Sequence, residues 1–301
     1  MTAGVSSVVD LSRALAGIAE AVGPSVVRVE ARGRLPASGI VWSPEGLVVT
    51  ADHVIEDDEH IRVGLPDGAV AGATLAGRDA TTDLAVLRAD ARGLRPAVWT
   101  DPDRARVGHL VVSLGRPGRT ARAALGMLTA VAEAWRGPGG AIIDRYLQID
   151  RRLPPGFSGG PLADGDGAVL GLTTAGLLRD AVLAIPAPTV RRVVETLLAH
   201  GRIPRGYLGI GAQPVRLPAG LRQALGQESG LLAVSVEPGS SAERAGLQLG
   251  DVLLRLGETT VRHPGDLMAM LGAERIGATL VARLLRGGTV QEVAVTVGER
   301  P

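Results

Sequence analysis

The sequence predicts a mainly β protein, in which a barrel or sandwich of short strands is followed by a smaller α+β domain. Between Ser25 and Pro186, short runs rich in Val, Ile, Leu and Thr alternate with turn sequences such as Pro44-Glu45-Gly46. This texture is typical of antiparallel sheets joined by tight turns. After one helical pattern, a second set of strand and helix patterns fills roughly the last 95 residues, which is enough for one compact domain.

The N-terminal segment has the periodicity of an amphipathic helix. Leu11, Leu15, Ile18 and Val22 recur at intervals of three or four residues, so one face of a helix over about residues 9–22 would be apolar. Gly23-Pro24 follows directly and is expected to end the helix.

A second helix is predicted between the two strand-rich regions. Over residues 188–200, Val190, Val193 and Leu197 fall on one helical face, and Gly201 is a suitable C-terminal stop. This helix is the natural boundary between domains. The predicted organisation is an N-terminal helical segment at 1–23, a first domain at 24–187, a connecting helix and linker at 188–204, and a second domain at 205–299.

Composition restricts the range of partners and sites. Charges nearly balance, with 32 Lys+Arg against 31 Asp+Glu, so no overall field favours nucleic acid or an anionic membrane. The chain has no cysteine, which excludes disulfides and thiolate chemistry. The first 23 residues contain no early basic cluster and no long apolar run. The sequence alone therefore predicts no signal peptide, no anchor and no membrane span. On this ground alone a cytoplasmic location is expected, while the lack of cysteine leaves the compartment open.

The strongest local signal is the segment Gly156–Gly160, which reads Gly-Phe-Ser-Gly-Gly. A serine between glycines can sit in a tight turn with its Oγ exposed, and the N–H groups of Gly156 and Ser158 can converge on an oxyanion. A glycine-rich hairpin without chemistry would give the same pattern. The segment alone does not decide between these alternatives.

A nucleophilic serine needs a base, and the chain has five histidines. His53 follows the strand-like run Gly46–Thr50 and would leave a strand end into a short turn, which suits a catalytic base. Asp83 precedes the apolar run Leu84–Leu87 and is the best candidate for the carboxylate that orients the imidazole. An aspartate at that place is also a common turn or strand cap.

The order His53, Asp83, Ser158 and the segments around these residues resemble the trypsin-like serine peptidases of the HtrA (Deg) family. The resemblance covers most of the chain. The matching segments are Ser38–Val41 and Gly46–Thr50 before the histidine, Leu114–Gly118 in the middle, Leu147–Asp150 before the serine, and Thr189–Val194 with Arg205–Ile210 at the junction into a PDZ domain.

This resemblance implies a trypsin-like double β-barrel followed by an α+β PDZ domain. His53, Asp83 and Ser158 would be the catalytic triad, and the N–H groups of Gly156 and Ser158 would form the oxyanion hole. It also implies a serine endopeptidase of protein quality control that acts on misfolded or unfolded proteins. Neither a metal nor an organic cofactor is implied.

In the PDZ domain the resemblance implies that Tyr207, Leu208, Gly209 and Ile210 form the loop that binds the carboxylate of a C-terminal peptide. The adjacent strand would pair with the peptide backbone. Two interpretations are open for three further apolar side chains, which either line the peptide groove or simply pack in the core: Leu267, Met270 and Leu271.

Three features depart from the family pattern. Phe157 stands where the family usually has asparagine; it either packs beside the loop or favours a flipped peptide, and weak basal activity is expected. Arg152 stands at the floor of the implied specificity pocket, where it either accepts an acidic side chain or turns to solvent. Family members commonly form trimers through N-terminal aromatic residues, and none precedes Trp42, so the homotrimer that the resemblance implies would lack those contacts.

Two other functions fit parts of the sequence. In the first, the fold is a catalytically latent scaffold that binds peptides through its PDZ domain. In the second, a lipase-like hydrolase, a Gly-x-Ser-x-Gly elbow would come first and the histidine last. Here His53 comes first, which disfavours the lipase-like alternative.

Overall fold

Two closed six-stranded barrels carry most of the β-structure in the computed structural model of the chain. The structure describes residues 3–33, 35–138, 140–150 and 152–300. These residues form two compact units, one within Met1–Pro138 and Ile142–Ile203, the other within Gly139–Ala141 and Pro204–Pro301. The predicted mainly β fold, with a double barrel and a smaller α+β unit, is confirmed.

The first barrel closes in the order β1-β2-β3-β6-β5-β4, with β4 paired back to β1. All its neighbouring strands pair antiparallel, and its buried Val, Ile, Leu and Ala side chains belong to one continuous hydrophobic cluster that also includes residues of the following elements. Closure leaves no unpaired sheet edge. Its strands are β1 Val26–Glu30, β2 Ala37–Val41, β3 Leu47–Thr50, β4 Ile61–Gly64, β5 Val70–Asp79 and β6 Leu84–Ala89.

The second barrel closes in the order β11-β14-β13-β12-β7-β8, with β8 paired back to β11. Leu128, Leu147 and Leu162 are fully buried at its centre. A small hairpin of β9 and β10 lies outside this ladder. The strands are β7 Leu110–Gly115, β8 Arg122–Ala132, β9 Trp135–Arg136, β10 Ile142–Ile143, β11 Tyr146–Ile149, β12 Pro161–Ala163, β13 Val169–Thr174 and β14 Val182–Pro186.

Two helices flank the barrels. Helix α1 spans Ala3–Val22 and so begins earlier than the apolar periodicity predicts; its Ile18 and Val22 are buried. Helix α2 spans Ala187–His200 and ends at Gly201, which has the left-handed φ of +71° expected of a C-terminal stop. Its apolar face packs on the core of the first barrel, where each fully buried Val or Leu contributes about 1.5–3 kcal/mol.

The second unit is a five-stranded antiparallel path, β16-β17-β18-β20-β21, with one short strand added to β18. Strand β16 is at one edge, and a further two-stranded pair joins β15 to β22. The elements are β15 Gly206–Tyr207, β16 Ile210–Arg216, α3 Ala219–Leu225, β17 Ser229–Val236, α4 Ser241–Arg244, β18 Val252–Leu256, β19 Thr259–Thr260, α5 Pro264–Ala269, β20 Thr279–Arg286, β21 Thr289–Thr296 and β22 Gly298–Glu299.

Helix α3 is not predicted from the sequence. It buries none of its residues fully, and no side chain caps its N-terminus, so it has neither of the usual sequence signals. Among the described residues, no helix has both the length and the hydropathy needed to cross a bilayer.

Candidate active site

His53 lies in a single 3₁₀ turn, Asp52–Val54, that follows strand β3. Arg78 holds this turn: its Nε donates to Asp52 Oδ1 at 2.5 Å, and its guanidinium donates to the carbonyl of Ile55 at 3.0 Å. The imidazole is one-third exposed. The predicted position of this histidine at a strand end is therefore observed, and the turn is anchored by a neighbouring arginine.

Asp83 is the histidine's partner. Its carboxylate is almost fully buried, and it accepts hydrogen bonds from the backbone N–H of His53 at 2.9 Å and from Nδ1 at 2.8 and 3.0 Å. Within the described ranges, Asp83 is the only non-glycine residue with positive φ, at +56°. Such a conformation costs about 1–3 kcal/mol and clusters at functional sites.

The contact with Asp83 fixes the protonation pattern of a neutral His53. Since an ionised carboxylate only accepts, Nδ1 carries the proton. Nε2 is then left with its lone pair, as a general base requires.

Two residues that the sequence analysis did not identify complete the support of this pair. The Thr174 hydroxyl donates to Asp83 Oδ2, and the N–H of Gly176 donates to Thr174 Oγ1 at 2.9 Å. The Cα of Gly176 lies against the His53 ring, where a Cβ would come within 2.7 Å of Cγ. The only sequence signal was a glycine just after a strand, which is common to ordinary turns.

Ser158 follows a tight turn, and only some of the backbone N–H groups around it donate hydrogen bonds within the protein. The N–H of Phe157 donates to Pro154 O at 3.1 Å, while those of Gly159 and Gly160 donate to Thr173 O and Phe157 O. In the described part of the chain, neither the Gly156 N–H nor the Ser158 N–H has a protein acceptor. These are the two donors that the sequence predicts for an oxyanion hole.

Gly156 has the backbone conformation that the turn requires. Its φ is +82°, and it follows Pro155, as in a type II turn closed by the Phe157–Pro154 hydrogen bond. A Cβ at this position would lie 2.6 Å from Cβ of Pro117. Both φ and space therefore favour glycine here.

Phe157, whose place in the family pattern is unusual, is buried. Its exposed fraction is 2%, and its ring fills the space beside Gly115, where a Cβ would stand 2.8 Å from Cγ and Cδ2 of the ring. Of the two alternatives for Phe157, these contacts favour packing beside the loop. They give no support to a flipped peptide or to the weak basal activity expected from one.

Arg152 is exposed, at the start of the loop that leads to Ser158. This position fits the alternative in which its guanidinium turns to solvent. A role in selecting acidic substrate side chains stays a prediction.

In the second unit, the segment Tyr207–Ile210 also has unused N–H groups. The carbonyls of Leu208 and Gly209 accept from Ala242 N and Glu237 N, both at 2.8 Å. Their own N–H groups have no acceptor among the residues that the structure describes. Two free amides beside the open edge strand β16 suit a terminal carboxylate and an added peptide strand.

This loop depends on a close approach at Gly209. Its φ is +81°, and its Cα lies against the side chain of Ser240. The Glu237 carboxylate beside Tyr207 raises the pKa of that phenol through a hydrogen bond. Leu267, Met270 and Leu271, for which two interpretations were open, are all buried in the core of this unit.

Comparison with known proteins agrees with this geometry. The family described as "Trypsin-like peptidase domain" matches residues 37–172, and the family described as "PDZ domain" matches residues 206–297. A probable periplasmic serine endoprotease DegP-like of Rhizobium meliloti is 35% identical over 277 residues, which are 90% of this chain and 54% of that protein. Its counterpart in Chlamydia muridarum is 32% identical over 91% of this chain and 56% of that protein.

Two solved structures are similar over nearly the whole chain. The HtrA-type protease AlgW with a decapeptide has a TM-score of 0.73 and 25% identity, covering 95% of this chain and 99% of that one. The serine endoprotease from Yersinia pestis has a TM-score of 0.72 and 29% identity, covering 95% and 98%. The chain spans about half the length of the curated relatives it matches. With a trypsin-like double barrel followed by a PDZ domain, the chain belongs to the HtrA (Deg) family of trypsin-like serine proteases.

Proposed function

We propose that the chain is a serine endopeptidase that cuts misfolded or unfolded proteins and recognises C-terminal peptides through its PDZ domain. The observation that carries this proposal is the buried Asp83 carboxylate on Nδ1 of His53, together with the free N–H groups of Gly156 and Ser158. In this proposal the Asp83 carboxylate orients His53 as the base, and the two N–H groups bind the oxyanion.

The proposed reaction follows from these positions. Ser158 Oγ attacks the carbonyl carbon of a peptide bond while His53 Nε2 accepts its proton, and the Gly156 and Ser158 N–H groups stabilise the developing oxyanion. The tetrahedral intermediate collapses when His53 returns the proton to the leaving amine, which leaves an acyl group on Ser158. Water, activated by His53, then hydrolyses this ester.

Asp83 stays ionised throughout these steps. It holds Nδ1–H and stabilises the imidazolium that forms when Nε2 takes the proton. Thr174 donates a further hydrogen bond to the same carboxylate.

Labelling with a fluorophosphonate tests the nucleophile. We expect wild-type protein to be labelled, Ser158→Ala to lose the label, and Ser25→Ala, which changes a buried serine far along the chain, to keep it. Label retained by Ser158→Ala would refute the assignment. An unlabelled wild type would instead support the latent scaffold, with peptide binding as its remaining function.

Digestion of casein, an unfolded protein, beside a stable folded protein tests the substrate class. We expect casein to be cut and the folded protein to survive until it is thermally unfolded. Equal cleavage of folded and unfolded forms would contradict the proposed preference.

The PDZ role is tested with peptides that end in a free carboxylate or in an amide. The free N–H groups of Leu208 and Gly209 favour the charged carboxylate over the neutral amide. Equal affinity for the amidated peptide would refute the assignment of Tyr207–Ile210. The similar structure of AlgW contains a decapeptide, which agrees with a peptide ligand in this fold.

Further assignments of the proposal are the domain limits, the location and the assembly. We place the protease domain at 24–187, the linker helix at 188–204 and the PDZ domain at 205–299, to be tested by limited proteolysis. The curated relatives are named periplasmic, so a location outside the cytoplasm is preferred to the cytoplasmic expectation. A homotrimer is tested by light scattering.

A further inference from the structure

A serine of the first barrel holds the loop that carries Ser158. Ser38 lies in β2 and is fully buried. Its Oγ donates to Gly156 O at 2.6 Å, and its backbone N–H donates to Ser158 O at 3.1 Å. One residue thus binds the carbonyls on both sides of Phe157.

The direction of the Ser38 hydroxyl is fixed by its other neighbour. The backbone N–H of Arg116 donates to Ser38 Oγ at 2.8 Å. A hydroxyl has one proton, and with a lone pair occupied by Arg116 that proton points to Gly156 O.

Arg116 is itself immobilised. Its buried guanidinium donates to Val26 O at 2.6 Å, to Gly23 O at 3.0 Å and to Arg119 O at 2.7 Å. Burial lowers the pKa of this group. Because these three carbonyls hold the side chain, the N–H that orients Ser38 has a defined position.

The hydrogen bonds leave little freedom in the loop. The peptide group between Gly156 and Phe157 is bound at both ends, by Ser38 and by Pro154 O. The next carbonyl, Phe157 O, accepts from the N–H of Gly160 at 2.9 Å. Since C=O and N–H of a trans peptide point in opposite directions, this fixes the Ser158 N–H away from Gly160.

Close packing supports the same arrangement. A Cβ at Gly159 would collide with Ser38 O and lie 3.0 Å from the N of Ala51, so only glycine lets the loop approach β2 this closely. The Ser38 carbonyl is held in turn by the Thr50 hydroxyl at 2.7 Å.

We propose that Ser38 is a positioning residue that keeps the Gly156–Gly160 loop in its oxyanion-binding conformation before substrate arrives. This inference rests on the proposed peptidase function. Ser38 does not touch the reacting atoms; it binds the carbonyls of Gly156 and Ser158, the two residues whose own N–H groups would bind the oxyanion.

The test compares Ser38→Ala with Ser25→Ala in the full chain. Ser25 is a matched control because it is also a buried serine, and its Oγ donates to a backbone carbonyl, Val22 O, at 2.7 Å. We expect Ser38→Ala to lower kcat about 10- to 100-fold on a fluorogenic peptide cut from casein, with KM within about twofold. Ser25→Ala should keep both constants.

A second measurement separates positioning from general damage. A peptide aldehyde forms a hemiacetal with Ser158 whose oxygen occupies the oxyanion hole, whereas an uncleavable peptide analogue does not. We expect Ser38→Ala to lower the affinity for the aldehyde by the same factor as it lowers kcat. The affinity for the uncleavable analogue should stay unchanged. Equal losses for both ligands, or an unchanged kcat, would overturn the inference while the peptidase function stands.

Ser38→Cys guards against a folding defect in the alanine variant. The thiol is a weak donor of similar shape, so its kcat should fall between those of wild type and Ser38→Ala. A kcat equal to that of wild type would count against the hydroxyl's role. If wild-type protein shows neither turnover nor fluorophosphonate labelling, the proposed function fails and this inference fails with it.

Discussion

The Cα of Gly176 lies against the imidazole of His53, so that a Cβ at this position would stand 2.7 Å from Cγ and 2.9 Å from Cε1 of the ring. Real Cβ atoms do not approach this closely, so Gly176→Ala must move the ring or the strand end. A shift of about 1 Å in a catalytic group costs on the order of 100-fold in rate. We expect kcat on a casein-derived peptide to fall by about that factor, as measured by steady-state kinetics.

Gly72→Ala is the control for this change. Gly72 lies in β5, and among the described residues other than its two chain neighbours no heavy atom stands within 4 Å of a Cβ built there. Its kcat should match that of wild type. If Gly176→Ala were as active as wild type, the His53 ring would tolerate the extra methyl group. Gly176 would then not be one of the residues that support His53 and Asp83.

Thr174 is expected to contribute to catalysis by holding the Asp83 carboxylate. Thr174→Val keeps the shape of the side chain and removes the hydroxyl that donates to Asp83 Oδ2. A hydrogen bond to a charged group is worth about 1.5–3 kcal/mol, so kcat/KM should fall by roughly 10- to 100-fold if the loss reaches the transition state. Thr174→Ser, which keeps the hydroxyl, should stay close to wild type, and equal losses in the two variants would indicate packing instead.

Phe157 is expected to stabilise the loop by packing. Phe157→Ala removes a ring with 2% exposure beside Gly115 and should lower the free energy of unfolding by about 3–5 kcal/mol. Phe157→Asn should lose both stability and turnover, because it also places an amide in an apolar space. A rise in turnover of Phe157→Asn at unchanged Tm would favour the flipped-peptide alternative.

The sequence allowed the barrels and the main site to be predicted for different reasons. Strand runs and turn residues give a local signal, so β-structure between Ser25 and Pro186 was predictable from short segments. His53, Asp83 and Ser158 each gave only a weak signal of a catalytic role. Their order along the chain and the segments around them supplied the prediction. The structure adds the contact between His53 and Asp83, which closes a separation of 30 residues.

The supporting residues could not be predicted in the same way. Ser38 contacts Gly156 across 118 residues, and Thr174 contacts Asp83 across 91. A serine in a strand and a threonine at a strand end are ordinary β-residues, so neither carries a local sign of its partner. Helix α3 was missed for a related reason, since it buries no residue fully and its amphipathic signal is weak.

Gly209 is expected to be essential for binding a C-terminal carboxylate. Its φ is +81°, and a Cβ would collide with the side chain of Ser240, so Gly209→Ala must distort the loop that presents the Leu208 and Gly209 N–H groups. We expect the affinity for a free-carboxylate peptide, measured by fluorescence anisotropy, to fall at least about tenfold, since both amides that would bind the carboxylate are displaced.

Gly220→Ala is the control for peptide binding. Gly220 lies in α3 with open space around it, and alanine favours a helix by up to about 1 kcal/mol. Peptide affinity should be unchanged and stability equal or slightly higher. Unchanged affinity in Gly209→Ala would argue that the carboxylate binds elsewhere.

The ion pair of Asp251 and Arg286 is expected to make the stability of the PDZ unit depend on pH. Burial alone would raise the pKa of the Asp251 carboxyl, but hydrogen bonds from Arg286 and from the Gln248 N–H outweigh it and leave this pKa lowered. The guanidinium binds both carboxylate oxygens at 2.7 Å. Because the folded pKa lies below the unfolded one, the stabilisation is present above about pH 4, the ordinary range of aspartate.

This stabilisation should be lost as the pH falls through the lowered pKa of folded Asp251, and Asp251→Asn should remove it at every pH. Two probes of the full chain separate the units, because all three tryptophans, Trp42, Trp99 and Trp135, lie in the barrel unit. In urea unfolding at pH 7, Asp251→Asn should shift a far-UV circular dichroism transition and leave the tryptophan fluorescence transition unchanged. At pH 3 the difference between variant and wild type should shrink; a difference of the same size at both pH values would show that the charge of Asp251 contributes nothing.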